Sequence, residues 1–368
     1  MESTVFFVDL SASFKENLVA KLGRLVETAG IREVVAERDL AAVKLHFGEL
    51  GNTAYIRPVF LRKIVDILKG IGALPYLTDA NTLYAGSRSN IVDHLETAIH
   101  NGFAYSVVGA PLVIADGLRG RSEVEVAVNQ KRFEKVYVAA EIARADALIS
   151  VAHFKGHELS GFGGAIKNVG MGSASRRGKL AQHSTVSPGV KTKKCIGCGD
   201  CVSHCPVGAI SLVEEKAVID ADTCIGCGEC IVVCPSNAVQ IQWDQSVPVF
   251  LENMVEYTQG VLKGKEGKTL YVNFITDVAP ACDCVPYNDS PVVRDIGILA
   301  SKDPVALDQA CVDMVNQEAA LPGSCLKENR QAGGDKIKGL YPYVDWEIQL
   351  AYAEELGLGR RQYQLEKI

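Results

Sequence analysis

The sequence lacks several features that would assign it to a broad class of proteins. It has no apolar run of about 18 residues, so we expect no membrane-spanning helix. Its 38 basic and 44 acidic residues give a net charge of −6, without the basic excess of general nucleic-acid binders. The start, MESTVFFVDLSASFKEN, has no charged n-region, long apolar stretch or small-residue cleavage site. We therefore expect a cytoplasmic protein that does not bind nucleic acid.

Two familiar catalytic motifs are also absent. The glycine-rich stretch GFGGAIKN does not have the G-x-x-x-x-G-K-[ST] spacing of a P-loop. His153 and His157 are spaced i, i+4, but Glu158 follows the second histidine, whereas the H-E-x-x-H motif has its glutamate after the first. These differences exclude a P-loop nucleotide site and a zinc peptidase of that type.

Cysteine, in contrast, is abundant. The chain has 12 cysteines, and eight of them lie in CIGCGDCVSHCP at 195–206 and CIGCGECIVVCP at 224–235. In a chain of 368 residues without an export signal, they favour metal or redox use over disulfides. Both stretches have the spacing C-x2-C-x2-C-x3-C-P, which is typical of bacterial ferredoxins with two [4Fe–4S] clusters. In that pattern the fourth cysteine of each motif binds the cluster of the other motif.

The sequence therefore predicts two [4Fe–4S] clusters with crossed ligands. The first cluster would be bound by Cys195, Cys198, Cys201 and Cys234. The second would be bound by Cys205, Cys224, Cys227 and Cys230. The two motifs are offset by 29 residues, which indicates an internal duplication and a small α+β unit over residues 191–243. Zinc knuckles are the alternative, but they usually lack the third cysteine and the C-P step.

On both sides of this segment, strand-like and helical patterns alternate. Before it, TVFFVDL, LAAVKLHF, ALPYLTDA, PLVIAD and ADALISVAHF are predicted strands, and YIRPVFLRKIVDILKG is a predicted helix. After it, FLENMVEYTQGVL and DPVALDQACVDMVNQ are predicted helices, and KTLYVNFI and DIGILAS are predicted strands. The alternation predicts an α/β domain with a mostly parallel sheet and flanking helices. It would comprise residues 1–190 and 244–368, interrupted by the ferredoxin-like insert; two separate small domains are the alternative.

Polar residues cluster where the predicted strands end. In open α/β sheets, ligands bind beyond the carboxyl ends of the strands. We therefore predict that three segments converge on one pocket, which contains Lys44, His46, His153, Lys155, His157, Lys167, Asn168, Cys282, Asp283 and Cys284. The lysines would hold an anionic group, and the histidines would bind metal or move protons. Cys282, Asp283 and Cys284 would form an additional metal site or a redox pair, although buried structural thiols are the alternative.

Two further stretches carry weaker predictions. The glycine-rich turn before Lys167 could seat an anion on backbone N–H groups at the start of a helix. The stretch SASRRGKLAQHSTVSPGVKTKK is basic and has no apolar period, which predicts a flexible loop. This loop would be a solvated linker or a basic lid that uses Arg176, Arg177, Lys179 and His183. Cys311 and Cys325 have no partner spacing and are predicted to be structural.

Over nearly its whole length the chain resembles a known family. The stretches HFKGHELSGFGGAIKNVGMG, CDC and DIGILASKDPVALDQA resemble the family of domains of unknown function numbered 362, in the form that carries a ferredoxin insert. The resemblance implies an iron–sulfur protein of the kind found mostly in anaerobic prokaryotes, but it does not supply a reaction. It also implies that the His, Lys and Cys residues at the strand ends form a site.

Together these patterns favour an iron–sulfur oxidoreductase. The two clusters would relay electrons between a redox partner protein and a pocket that takes a small anionic substrate. The first alternative is a non-catalytic electron carrier or docking subunit of a larger redox complex. The second is a redox sensor that changes its partner when a cluster is lost.

Overall fold

The computed structural model describes residues 3–184, 186–243 and 245–368. The strands are β1 Ser3–Asp9, β2 Leu40–Lys44, β3 Leu74–Asp79, β4 Leu112–Ile114, β5 Glu123–Ala127, β6 Lys135–Ala139, β7 Ala147–His153, β8 Lys155–His157, β9 Gly161–Gly163, β10 Gly189–Val190, β11 Ile210–Val213, β12 Lys216–Ile219, β13 Val239–Gln240, β14 Thr269–Ile275, β15 Gly297–Ser301 and β16 Tyr363–Lys367. The helices are α1 Leu18–Thr28, α2 Ile31–Val34, α3 Pro58–Ile71, α4 Ile91–His100, α5 Tyr105–Val108, α6 Ala140–Ala143, α7 Ala165–Gly170, α8 Arg176–His183, α9 Asp200–Ser203, α10 Glu229–Val232, α11 Val247–Leu262, α12 Pro304–Gln317, α13 Lys336–Leu340 and α14 Glu347–Glu355. None of these helices is both long and apolar enough to cross a membrane.

The main sheet has eight strands in the order β16-β1-β15-β14-β7-β2-β3-β4. All neighbouring pairs are parallel except the two that involve β15, which runs against β1 and β14. This arrangement confirms the predicted α/β class with a mostly parallel sheet. Strands from before and after the cysteine-rich segment share the sheet, so the two flanking parts of the chain form one sheet and not two.

Two apolar layers cover the sheet, one on each face, and the strand β7 is therefore buried on both sides. Along this strand Leu148 belongs to the layer formed with α7, α11, α12 and α14, while Ile149 belongs to the layer formed with α1, α2 and α3. A strand buried on both sides reads as a continuous apolar run, as expected for parallel strands covered by helices. The ends of α3 and α12 follow from local chemistry: Gly72 ends α3 with φ 92°, and the Asp303 side chain caps the first turn of α12.

Residues 189–240 form a small cysteine lobe, whose apolar cluster also includes Leu83 and Leu180 from outside the lobe. Its elements are the hairpin of β11 and β12, the short helices α9 and α10, and the pair of β10 with β13. Ile210, Ala217 and Val239 are buried in this cluster together with several of the cysteines. Gly189 pairs with Gln240 and Val190 with Val239, so the chain enters and leaves the lobe side by side. A segment joined in this way can be inserted without separating the strands around it.

The prediction of a flexible loop over residues 173–194 is wrong for its first half. The segment forms α8, and the Ser175 side chain caps it by accepting a hydrogen bond from the Gly178 N–H. Arg176 is only 1% exposed, and its charge is compensated by Glu229 of the cysteine lobe at 2.8 Å. A polar helix stabilised by a distant ion pair has no apolar period, which is why the sequence pattern predicts a loop. Thr185, in the same stretch, lies outside the described residues.

Candidate functional site

The carboxyl ends of β2, β3, β7 and β14 meet at one edge of the sheet. A single cavity at this edge, here called the polar cavity, is lined by Lys44, His46, His153, Lys155, His157, Lys167, Asn168, Cys282 and Cys284. Asp283 lies directly behind its wall, 2.9 Å from both His153 and Lys155. The structure thus brings together all ten residues that the sequence assigns to one pocket. Strand order explains this, since β2 and β7 are neighbours where the chain changes direction across the sheet.

Lys44 is held by ion pairing and hydrogen bonding inside the protein. Its Nζ lies 3.0 Å from Asp79 Oδ1 and donates to Asn168 Oδ1 at 2.9 Å. Asp79 also pairs with Arg88, which is paired with Glu49 in turn. Burial lowers the pKa of Lys44, and the Asp79 carboxylate partly offsets this effect. In this network the charges compensate one another, so Lys44 stabilises the floor of the cavity.

Asn168 joins α7 to the sheet. Its Nδ2 donates to the carbonyl oxygen of Lys44 at 3.0 Å and to Ser150 Oγ at 2.9 Å. Its Oδ1 accepts from the Lys44 ammonium. Both ends of the amide are therefore used within the protein, and Asn168 positions Lys44 and α7.

His153 is fixed between two acceptors. Its Nδ1 lies 2.9 Å from Asp283 Oδ1, and its Nε2 lies 2.8 Å from the carbonyl oxygen of Thr276. Because a carboxylate and a carbonyl can only accept, both ring nitrogens must carry a proton, and the imidazole is cationic. A ring protonated on both nitrogens has no free lone pair for a metal ion, and both of its N–H groups are hydrogen-bonded within the protein. The roles predicted for this histidine, metal binding or proton movement, stay predictions.

Asp283 lies between the imidazolium of His153 and the ammonium of Lys155. Burial alone would raise the pKa of Asp283, but the charges of His153 and Lys155 lower it well below its ordinary value. The carboxylate contacts these two cations, each at 2.9 Å. Within the described residues, no group of three or more His, Cys, Asp or Glu side chains is arranged to hold a metal ion. The same is true of the eight cysteines at positions 195–234, so the additional metal site and the two cluster sites all stay predictions.

His46 and His157 differ from His153, because each is a neutral donor in the wall of the cavity. Burial lowers the pKa of both rings well below the ordinary value. The Nδ1 of His46 accepts from the Gly48 N–H at 2.9 Å, and the Nδ1 of His157 accepts from the Ser160 N–H at 3.1 Å. Each ring therefore carries its proton on Nε2. Two such N–H groups suit a ligand that presents oxygen acceptors.

Cys282 lies beside a lysine in the polar cavity. Its Sγ is 3.5 Å from Lys167 Nζ and accepts from the Cys284 N–H at 3.4 Å. Its side chain is buried, whereas Cys284 is partly exposed. A sulfur that lies beside a cation and accepts a hydrogen bond from a backbone N–H is stabilised as a thiolate.

The helix α8 and the segment after the cysteine lobe complete the wall of the cavity. Lys179 lines the cavity and donates to the carbonyl oxygen of Ala174 at 2.6 Å, and burial lowers the pKa of Lys179 to about 8. His183 stacks on Phe250 at 4.9 Å and meets the edge of Trp243 at 4.7 Å between ring centroids. The wall of the cavity therefore includes an aromatic cluster of His183, Trp243 and Phe250.

The N-terminus of α7 is occupied by a residue of the protein itself. Asp308 of α12 accepts from the Ala165 N–H at 2.7 Å and from the Ile166 N–H at 3.0 Å. A Cβ on Gly164 would overlap Asp308 Oδ1, which explains the glycine at this position. The prediction that these N–H groups seat an external anion is therefore wrong, because an internal carboxylate already satisfies them.

The cysteine lobe contains two smaller cavities, each lined by four cysteines. The first cysteine cavity is lined by Cys195, Cys198, Cys201 and Cys234. The second cysteine cavity is lined by Cys205, Cys224, Cys227 and Cys230. Each cavity thus combines three cysteines of one motif with the fourth cysteine of the other.

Backbone N–H groups point at several of these sulfurs. Ala209 donates to Cys205 at 3.2 Å, Ala217 to Cys195 at 3.4 Å, and Ala238 to Cys234 at 3.2 Å. The glycines at 197, 199, 226 and 228 all have positive φ, which lets the cysteine loops turn tightly. Such loops and N–H groups stabilise thiolates around a buried anionic group.

The two cysteine cavities face different surroundings. At the second, a Cβ on Gly228 would lie 3.1 Å from Leu83 Cδ1, and Leu83 lines the polar cavity. Glu229, next to Gly228, pairs with Arg176 of α8 at 2.8 Å. At the first, Cys198 is exposed and Ile196 is 67% exposed. The second cavity therefore adjoins the polar cavity, and the first lies toward the surface.

The sequence matches a known protein family. A family model described as a domain of unknown function, DUF362, matches residues 41–313. The chain belongs to the DUF362 family. The matched range contains every residue of the polar cavity named above and the whole cysteine lobe. No curated protein matches the chain.

Solved structures resemble this DUF362 chain in outline. The lactate racemase apoprotein from Thermoanaerobacterium thermosaccharolyticum aligns with a TM-score of 0.42 and 13% identity, over 88% of this chain and 60% of the other. A protein from Thermotoga maritima solved by structural genomics aligns with a TM-score of 0.40 and 9% identity, over 92% of this chain and 58% of the other. The chain thus spans less than two thirds of either protein.

Several residues that line the polar cavity were not predicted from the sequence. Asp79 ends the predicted strand ALPYLTDA, and its position at a strand end was the available signal. Arg88, Leu83 and Tyr84 follow in the loop after β3 and line the polar cavity. Nothing in their local pattern indicates this, because Arg88 pairs with Glu49 and Leu83 lies against Gly228 of the cysteine lobe.

Proposed function

We propose that the chain is an iron–sulfur electron-transfer protein that acts as an oxidoreductase on a small anionic substrate. The observation that carries this proposal is the pair of four-cysteine cavities with exchanged fourth cysteines. This combination matches the ligand pattern of two-cluster ferredoxins and differs from paired zinc knuckles.

The residues present fit two [4Fe–4S] clusters. Cys195, Cys198, Cys201 and Cys234 would hold the first, and Cys205, Cys224, Cys227 and Cys230 the second. When bound, the clusters would supply transfer of single electrons. The backbone N–H groups of Ala209, Ala217 and Ala238 would stabilise the ligating sulfurs.

The positions of the cavities support two separate points of contact. Leu83 forms a thin apolar partition between the second cysteine cavity and the polar cavity. The exposed Ile196 and Cys198 mark the first cysteine cavity as the side for a redox partner protein. We propose residues 191–243 as the ferredoxin domain and the remainder as one discontinuous domain, in keeping with the adjacent β10 and β13. The many unbridged cysteines favour the reducing cytoplasm.

The polar cavity favours an enzyme over a carrier or docking subunit. A pure carrier needs no cavity, whereas here His46 and His157 present N–H donors beside the ammonium groups of Lys167 and Lys179. Donors and positive charge suit a carboxylate or another small oxyanion. The aromatic wall of Phe250 and Trp243 would contact the apolar part of the substrate.

Metal analysis tests the proposal. The full chain purified without oxygen should contain about eight irons and eight acid-labile sulfides, as two [4Fe–4S] clusters require. It should lose its brown colour when the iron is chelated. A chain with stoichiometric zinc and no labile sulfide would instead establish the zinc-knuckle alternative.

A further inference from the structure

Positive charge exceeds negative charge around Cys282. His153, Lys155 and Lys167 carry three positive charges near it, while Asp283 and the more exposed Glu158 provide two carboxylates. Uncompensated buried charge is costly, so these surroundings favour an additional negative charge, either on the sulfur of Cys282 or on a bound ligand. Cys282 is the nearest group that can supply it, because Lys167 Nζ lies 3.5 Å from its Sγ.

The local hydrogen bonds place this negative charge on Cys282 and not on Cys284. Cys282 Sγ accepts from the Cys284 N–H at 3.4 Å. The side chain of Cys284 lowers the pKa of Cys282 well below its ordinary value, and the positive charge of Lys167 adds to this effect. The same contact raises the pKa of Cys284. The pair therefore consists of a thiolate and a thiol.

The backbone holds the two sulfurs within reach of each other. The Val285 N–H donates to the carbonyl oxygen of Cys282 at 3.2 Å, which closes a four-residue turn with Cys282 at its first and Cys284 at its third position. In such a turn the chain folds back between these positions. A bond between the two sulfurs then requires rotation of side chains and little movement of the main chain.

We propose that Cys282 and Cys284 are a reversible dithiol–disulfide couple in which Cys282 is the attacking thiolate. The couple would be the two-electron centre of the polar cavity. It rests on the function proposed above only for its physiological electron source, the one-electron iron–sulfur clusters. The thiol chemistry itself depends on Cys282, Cys284 and Lys167.

With oxidised glutathione the reaction is balanced as follows. The Cys282 thiolate attacks one glutathione sulfur, the glutathione S–S bond breaks, and a glutathione thiolate leaves. Cys284 then loses its proton to the departing thiolate and attacks the mixed disulfide at Cys282 Sγ, which releases the second glutathione. The two cysteines together lose two electrons, and the glutathione disulfide gains them.

Peptide mapping tests the couple directly. Trypsin releases residues 269–294 as one peptide that contains Cys282 and Cys284 and none of the other cysteines. The anaerobically purified full chain is equilibrated in glutathione and in dithiothreitol buffers, each fully oxidised or fully reduced, then quenched in acid. We expect this peptide to lose two hydrogens in an oxidised buffer and to regain them in a reduced one. A peptide that remains a dithiol in both oxidised buffers overturns the proposal.

Two variants assign the roles. Cys284→Ser should trap a mixed disulfide between Cys282 and glutathione, because no second thiol can resolve it. At a pH below the pKa of the Cys282 thiol, Lys167→Met should slow alkylation of Cys282 by iodoacetamide about tenfold, the effect of one pKa unit. The assignment would be contradicted if Cys284→Ser formed no mixed disulfide with glutathione, or if Lys167→Met left the alkylation rate of Cys282 unchanged. Iron content is measured on each sample: cycling in an iron-free chain would refute the cluster proposal alone, and its absence in an iron-loaded chain would refute the couple alone.

Discussion

Replacing Cys205 with serine is expected to remove the second cluster, although Cys205 belongs to the first motif. The reason is its place in the second cysteine cavity, beside Cys224, Cys227 and Cys230. The variant should lose about four of the eight irons, because each [4Fe–4S] cluster contributes four. Cys198→Ser should lose the other half. Iron and labile sulfide are measured on each chain after anaerobic purification.

Double variants identify which cluster each cysteine serves. Cys205→Ser combined with Cys227→Ser should lose no more iron than either change alone, because both cysteines line one cavity. Cys205→Ser combined with Cys198→Ser should lose nearly all the iron. Cys325→Ser, at an exposed cysteine outside the lobe, is the matched control and should retain the full content. Crossed ligation would be wrong if the two double variants gave the opposite results.

Replacing Asp283 with asparagine is expected to destabilise the protein by about 3–5 kcal/mol. The change leaves the imidazolium of His153 and the ammonium of Lys155 buried without their shared carboxylate. Urea unfolding followed by tryptophan fluorescence measures the loss, since Trp346 is buried in the core.

Asp289→Asn is the control for this variant. Asp289 lies in the same segment, is exposed, and accepts from its neighbour Ser290. Its replacement should change the free energy of unfolding by no more than about 0.5 kcal/mol. Equal effects of the two substitutions would show that the contacts of Asp283 with His153 and Lys155 contribute little stability.

The sheet could be predicted because its strands are buried on both faces. Segments such as ADALISVAHF and KTLYVNFI are continuous apolar runs, and they become β7 and β14. Convergence of Lys44, His153 and Cys282 followed from the same pattern, since parallel strands end at one edge. The antiparallel direction of β15 was not predictable, because the apolar pattern of a buried strand does not encode its direction.

The roles of individual polar residues were less predictable, since they depend on partners distant in the chain. His153 and His157 look alike in the sequence, yet Asp283 and Thr276 make the first cationic, while the Ser160 N–H fixes the neutral tautomer of the second. Likewise, Asp308 lies more than 140 residues from the turn whose N–H groups it caps. A local pattern cannot reveal such pairings.

The most direct test of the account asks whether electrons pass between the cysteine lobe and the polar cavity. The reduced, iron-loaded chain is mixed without oxygen with ferricytochrome c, a one-electron acceptor too large to enter that cavity. We predict that the 269–294 peptide is converted to its disulfide, with two further cytochromes reduced for each disulfide formed, and that Cys205→Ser prevents the conversion. A peptide that stays a dithiol while cytochrome c is reduced, or a disulfide that forms equally well in Cys205→Ser, would contradict the account.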